Sequence, residues 1–386
     1  MPMGLFPLSD FGRESAKVTG DAVDFNPMTL RLFGQANSLG GGTHFQEFLS
    51  ALRQTKILSM AIEAPDPFAL ESLAIAAAQS TSEDINIWFW PDPKAGFFRG
   101  RQIVWGIFES TRLPSSYLSK LDAFERVWVP SAWGRDTLIA NGVSTSKIDV
   151  VPEGVNSEIF IPPSIKRDRT GRPFRFLTIG KYEERKCYPL LLDAFKAIFG
   201  NQSHVELVIK ADFFLDHHRK RQLLESEVMV RNLRNVSLVW GDWPQTALCE
   251  AYQNADAFVL PTRAEGWGLP LIEALACGIP VLTTLYSGQS AFLSAVAGNF
   301  LEITYSKTVI RDPEFLKYWP GVDTLGGEWA EPNFESVCAG LSEVVRNHSQ
   351  WAERARAASA TIRRDFSWAQ SSEKAILVLR DLGWLD

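Results

Sequence analysis

The chain contains no Asp-x-Asp, no Cys-x-x-Cys, no Gly-x-Gly-x-x-Gly and no apolar run approaching the length of a membrane span. Each absence excludes something. Without Asp-x-Asp, no carboxylate pair is indicated that would chelate a divalent ion on a diphosphate, so no metal and no cofactor is expected. Without paired cysteines, the widely spaced Cys187, Cys249, Cys277 and Cys338 indicate neither a zinc site nor a disulfide framework. They read as free buried thiols in a reducing compartment. The histidines show no metal-ligand spacing, and the adjacent His217 and His218 point apart on any regular element. Basic charge is also lacking. Against 45 acidic residues stand 39 Lys and Arg, for a net charge of −6. That balance argues against a general nucleic-acid binder and against a polybasic membrane surface. The first residues lack a basic segment followed by an apolar one, so residues 1–28 are expected to be a partly ordered leader rather than a secretory signal.

What is present is a long, apolar-rich chain of 386 residues, enough for two domains. Strand-like apolar runs alternate with helical stretches, the pattern of parallel α/β layers. In the first half, strands are expected at residues 30–33, 56–61, 85–90, 102–108, 126–129 and 148–151. Helices are expected at 43–52, 70–78 and 115–124. Pro152-Glu153-Gly154-Val155-Asn156 reads as a turn, and Ile161-Pro162-Pro163 with the basic run to Arg172 as an interdomain connection. A second α/β series begins at Phe174. Residues 302–328 are weakly patterned, punctuated by Gly and Pro, and read as an insertion of unknown shape. The tail from Phe366 reads as an amphipathic helix.

The most informative stretch runs from Arg263 to Pro280, Arg-Ala-Glu-Gly-Trp-Gly-Leu-Pro-Leu-Ile-Glu-Ala-Leu-Ala-Cys-Gly-Ile-Pro. It reads as a glycine-rich turn and a short helix between two buried strands. Pro270 suits the first helical position, and Gly278 the left-handed exit. Glu265 then precedes the helix and Glu273 lies in its first turn. Amides of Gly266, Trp267 and Gly268 would sit at its positive end, which favours an anionic or hydroxyl-rich ligand. A carboxylate can accept from two vicinal hydroxyls at once, which suits a sugar or a ribose.

Glu265 and Glu273, with seven residues between them that include Gly-Trp-Gly-Leu-Pro, resemble the E-x7-E motif of retaining GT-B glycosyltransferases of the group 1 family. The resemblance implies a GT-B fold, two Rossmann-like domains facing each other across a cleft, with the C-terminal helix packing back on the first. Residues 1–160 would form the acceptor-side domain, 161–365 the donor-side domain, and 366–386 the returning helix. It implies that Glu265 contacts the donor sugar and Glu273 the ribose, with Gly266, Trp267, Gly268 and Leu269 in the donor site. Gly180-Lys181 and Lys186 resemble the family's Gly-Arg…Lys-Gly segment, which neutralises the diphosphate. Here Lys181 replaces Arg and Cys187 replaces Gly, so the charge is kept and the bidentate fork lost. Gly41 and Gly42, in the Gly40–Gly42 run, match a loop that faces the diphosphate from the first domain. Where many members carry a His after the fourth strand, this chain reads Ile107-Phe108-Glu109-Ser110, and Glu109 is the candidate to orient the sugar or acceptor. His44 reads as structural. Trp240 to Trp243 could border the base, and Trp88 to Arg101 could hold an acceptor or touch lipid.

The implied activity is transfer of a sugar from a UDP-, GDP- or ADP-linked donor to a saccharide or glycolipid acceptor. The implied setting is surface polysaccharide or glycolipid assembly, in the cytoplasm or at the inner face of the membrane. A sugar-nucleotide epimerase of the same fold and a non-catalytic donor-binding subunit remain as alternatives.

Overall fold

The structure, a computed structural model, describes residues 28–37, 40–55, 60–164, 171–212 and 216–385. The leader reading for residues 1–28 therefore lies outside the described residues, Met28 apart. Most of the strand expected at 56–61 does too.

The first sheet contains β1 (Thr29–Phe33), β2 (Ala61–Glu63), β3 (Ile85–Trp88), β4 (Arg101–Trp105), β5 (Arg126–Val129) and β6 (Ile148–Val150). Its strands are all parallel, in the order β2-β1-β3-β4-β5-β6. Between them run α1 (Gly40–Gln54), α2 (Leu70–Gln79), α3 (Ser115–Leu118) and α4 (Ala132–Ala140). The strands read as near-continuous apolar runs because helices or loops cover both faces. Trp88, Trp105 and Trp128 are all buried in this sheet, so much of the high tryptophan content is core.

The second sheet contains β7 (Phe174–Lys181), β8 (Val205–Asp212), β9 (Val236–Val239), β10 (Ala257–Leu260), β11 (Val281–Thr284) and β12 (Leu301–Ile303). These too are parallel, in the order β12-β11-β10-β7-β8-β9. Its helices are α5 (Tyr188–Phe199), α6 (His217–Val230), α7 (Gln245–Asn254), α8 (Leu269–Ala276) and α9 (Ser290–Ala295). Strand order reverses between β7 and β10. The loops leaving those two strands bound the crevice where open α/β sheets bind ligands.

The insertion has a definite shape. β13 (Tyr305–Val309) pairs antiparallel with β14 (Glu328–Pro332), and α10 (Pro313–Tyr318) lies between them. Ile310, Trp319, Val322 and Trp329 join the apolar cluster of the first domain, beside Phe108, Leu113 and Tyr117. Sequence pattern could not show this, because the segment is organised by a surface more than 180 residues away.

The chain ends with α11 (Phe334–Arg346), α12 (His348–Asp365) and α13 (Trp368–Asp381). Helix α13 lies on the first domain. Trp368, Ala375, Ile376 and Leu379 pack with Phe45, Phe48, Trp105 and Trp128. Their spacing is one stripe of a 3.6-residue period. Ser367 caps the helix, accepting from the Gln370 amide at 3.3 Å.

Two local corrections follow. Gly40–Gly42 is the first turn of α1 rather than a loop before it. Helix α8 begins at Leu269, ahead of Pro270, so Glu273 falls in its second turn.

Candidate functional site

The loop after β7 and the loop after β10 meet at the reversal of strand order. After β7, a 3-10 turn at Glu184–Lys186 ends at Cys187, whose φ of 54° is left-handed. An L side chain adopts that region at a cost of about 1 kcal/mol, which accounts for the glycine of the resembled pattern. The turn aims Arg185 and Lys186 together at the loop after β10. Lys186 Nζ donates to Glu265 Oε1 at 2.6 Å, and Thr262 Oγ1 donates to the same oxygen at 2.7 Å. Arg185 Nη1 reaches Glu265 Oε2 at 3.1 Å and donates to the Ala264 carbonyl at 2.9 Å. Arg185 Nη2 reaches Glu183 at 2.9 Å and Glu109, from the opposite domain, at 3.4 Å.

All four of Glu265, Arg185, Lys186 and Glu273 are buried. Burial alone would raise the Glu265 carboxyl. The facing Lys186 and Arg185, with hydrogen bonds from Lys186 and Thr262, outweigh it and hold the group well below the usual carboxylate range. Burial would likewise lower Arg185, but Glu109, Glu183 and Glu265 raise it. The backbone of Glu265 is fixed as well. Its amide donates to Ser287 Oγ at 2.8 Å, and its carbonyl accepts from the Gly288 amide at 2.9 Å. A carboxylate offers about four acceptor positions. Three of Glu265's are taken, so it can receive one further hydroxyl, not the vicinal pair expected from sequence.

Glu273 has a different neighbourhood. Tyr252 donates its hydroxyl to Glu273 Oε2 at 2.9 Å. Burial raises the carboxyl to about 8, with the Tyr252 bond opposing and Glu47 of the first domain adding to the rise. Lys210, buried at the end of β8, is the nearby cation, and it pairs with Asp212 at 2.5 Å.

Gly268 caps α8 with φ 100°. A Cβ on Gly266 would lie 2.3 Å from Ile107 Cγ2 of the first domain, so only glycine permits this contact between the domains. Among the described residues, the amides of Gly266, Trp267 and Gly268 donate no hydrogen bond. The Trp267 ring is buried and packs on Phe292 and Phe366. The N-terminus of α1 faces the same place. A Cβ on Gly40 would lie 3.8 Å from Leu269 Cδ1, while space around Gly41 is open and Gly42 packs on Asn37. Two helix N-termini thus converge, and partial positive charge accumulates between them. Lys181 ends β7 close by, 4.0 Å from Glu183.

The structure therefore brings Glu265, Lys186 and Glu109 into one charged chain. Gly41, Gly266, Gly268 and Leu269 lie at the paired helix ends, and Glu273, in the second turn of α8, bonds instead to Tyr252 of α7. Sequence reasoning missed Arg185, Glu183, Thr262 and Lys210. Arg185-Lys186 did give a signal, as two adjacent cations in a short turn. It also missed Glu153, in the turn after β6. That carboxyl is buried and raised to about 8 by burial and by Glu109, and it lies 3.8 Å from His44 Nδ1. His44 occupies an aromatic box of Phe48, Phe89, Trp105 and Trp368. Burial lowers its imidazole to about 3, so it stays neutral and packs as a core group.

Residues 164–305 match the sequence profile of the family described as "Glycosyl transferases group 1". The chain is 26% identical over 173 residues to D-inositol 3-phosphate glycosyltransferase of Paenarthrobacter aurescens, covering 41% of this chain and 40% of that one. It thus spans about two fifths of that relative's length. The fold extends further than the sequence match. A glycosyltransferase from Rickettsia africae ESF-5 superposes with a TM-score of 0.67 at 14% identity, over 92% of this chain and 99% of that one. Anabaena Alr3699/HepE, solved with UDP and glucose, gives 0.66 at 12% identity, over 92% and 100%. The architecture is GT-B.

Proposed function

We propose that this protein is a glycosyltransferase that moves a sugar from a nucleotide diphosphate to an acceptor hydroxyl with retention of anomeric configuration. One observation supports this most. The N-termini of α1 and α8 converge beside Lys181 and Lys186 at the strand-order reversal, with an ionised carboxylate, Glu265, at the same place. Such a site is complementary to a diphosphate joined to a polyhydroxyl group.

Bond breaking between the sugar C1 and the phosphate oxygen builds negative charge on the departing diphosphate. Lys181, Lys186 and the unpaired amides of Gly266 to Gly268 stabilise that charge without a metal. Glu265 accepts one donor-sugar hydroxyl through its remaining position. Glu273 accepts from the ribose, and Glu109 orients the sugar or the acceptor from the opposite domain. The acceptor hydroxyl attacks C1 from the face the diphosphate leaves, and its proton passes to the departing phosphate oxygen. UDP is the first nucleotide to test, since the Anabaena neighbour was solved with it. A glycolipid or polysaccharide acceptor fits the exposed Phe68, Leu70 and Phe97 on the acceptor-side domain. Among the described residues no helix is long and apolar enough to cross a membrane.

Thermal-shift titration with UDP, GDP and ADP tests the reading. One nucleotide should raise the melting temperature, and Glu273→Ala should abolish the rise. No response to any of the three, or an undiminished response in the variant, would overturn it.

A further inference from the structure

The insertion does more than fill a surface. Trp329 Nε1 donates to the Glu109 carbonyl at 2.6 Å, and the Glu328 amide donates to Thr111 Oγ1 at 2.9 Å. Both contacts grip the loop after β4 from a segment that belongs, in chain order, to the second domain. The same strand holds the loop carrying Glu265. Arg263 pairs with Glu331 through two hydrogen bonds, at 2.6 and 3.0 Å, and the Ala330 amide donates to the Arg263 carbonyl at 3.1 Å. The Arg263 guanidinium lies 6.0 Å from the Trp329 ring centre, and Phe315 packs edge-on against that ring at 5.1 Å. β14 is therefore a shared support for Glu109 and Glu265, whose side chains then meet on Arg185.

We propose that Trp329 is a positioning residue. By holding the Glu109 carbonyl it fixes the Glu109–Arg185 pair across the cleft, and Arg185 in turn fixes Glu265 Oε2, whose one remaining acceptor position faces the donor sugar. This inference rests on the glycosyltransferase reading. The loosest link of the chain, Glu109 to Arg185 at 3.4 Å, is the one Trp329 supports. Removal of the indole N–H frees the loop to swing, and the pair opens.

Trp329→Phe tests this in the full chain, because it keeps a buried ring and removes the donor. The expected result is a fall in kcat of about tenfold, with the donor KM and the nucleotide Kd changed less than about twofold. In a Glu109→Gln background the same substitution should have no further effect, since the two act through one contact. A fall in melting temperature with kcat unchanged, or additive losses in the double variant, would overturn the inference. Should Trp329→Phe not fold, Thr111→Ala removes the neighbouring contact and should show the same dependence on Glu109. Failure of the underlying reading looks different: the unsubstituted protein would neither bind a nucleotide nor transfer a sugar.

Discussion

Glu265 and Glu273 are eight positions apart and almost equally buried, yet their surroundings drive them in opposite directions. The region around Glu265 supplies two cations and a hydroxyl, and its carboxylate stays ionised. The region around Glu273 supplies one tyrosine hydroxyl, a lysine already paired with Asp212 and a second acid, and its carboxyl is raised to about 8. Burial does not decide the charge of a group; the partners that share its burial do. Glu265 arrives with its charge already neutralised, at the cost of most of its acceptor capacity. Glu273 keeps that capacity but must lose a proton to use it.

The contrast is open to experiment. Lys186→Met should break the first region and have the largest effect. It leaves the Glu265 carboxylate half-paired in a buried site, and a loss of about 3 kcal/mol in denaturant unfolding is expected. Glu265→Ala should cut transfer about a hundredfold or more while leaving the affinity for bare nucleotide nearly intact, a split visible in kcat against Kd.

The second region responds to pH. A ribose hydroxyl donates best to an ionised carboxylate. Nucleotide affinity should therefore rise with pH up to about 8, by as much as about tenfold per unit below that value. Titration calorimetry should record proton release on binding, and Glu273→Gln should remove both effects. A further effect concerns the unliganded fold. Glu273 and Glu153 hold protons in the folded state that they lose near pH 4.5 when unfolded. Between pH 5 and 8 the folded chain binds more protons than the unfolded one, so stability should fall as pH rises. Each acid contributes about 1 kcal/mol per unit, and Glu153→Gln should flatten the melting curve by its share.

Much of this was legible in the residues. The unit β10, turn, α8, β11 appears where Gly266, Gly268, Pro270 and Gly278 punctuate an apolar sequence, because such signals are local. Strand β5 follows the expected bounds for the same reason. What escaped depends on distant partners. Arg185 is indistinguishable from a surface arginine until Glu109 and Glu265 are placed around it. Residues 302–328 carry no period of their own, because Ile310, Trp319 and Val322 pack against the first domain. Glu153 and His44 are unremarkable apart, and only the turn after β6 brings them within 3.8 Å.

The last helix has a practical consequence for anyone dividing this protein. The aromatic floor of the first domain, Phe45 and Phe48 of α1 with Trp105 of β4, is roofed by α13. A fragment stopped near residue 160 would bare that floor to water and aggregate. So would a full-length chain clipped after residue 366. Dissection of the two halves should instead graft α13 behind the first through a short flexible linker, keeping beginning and end on one recombinant piece.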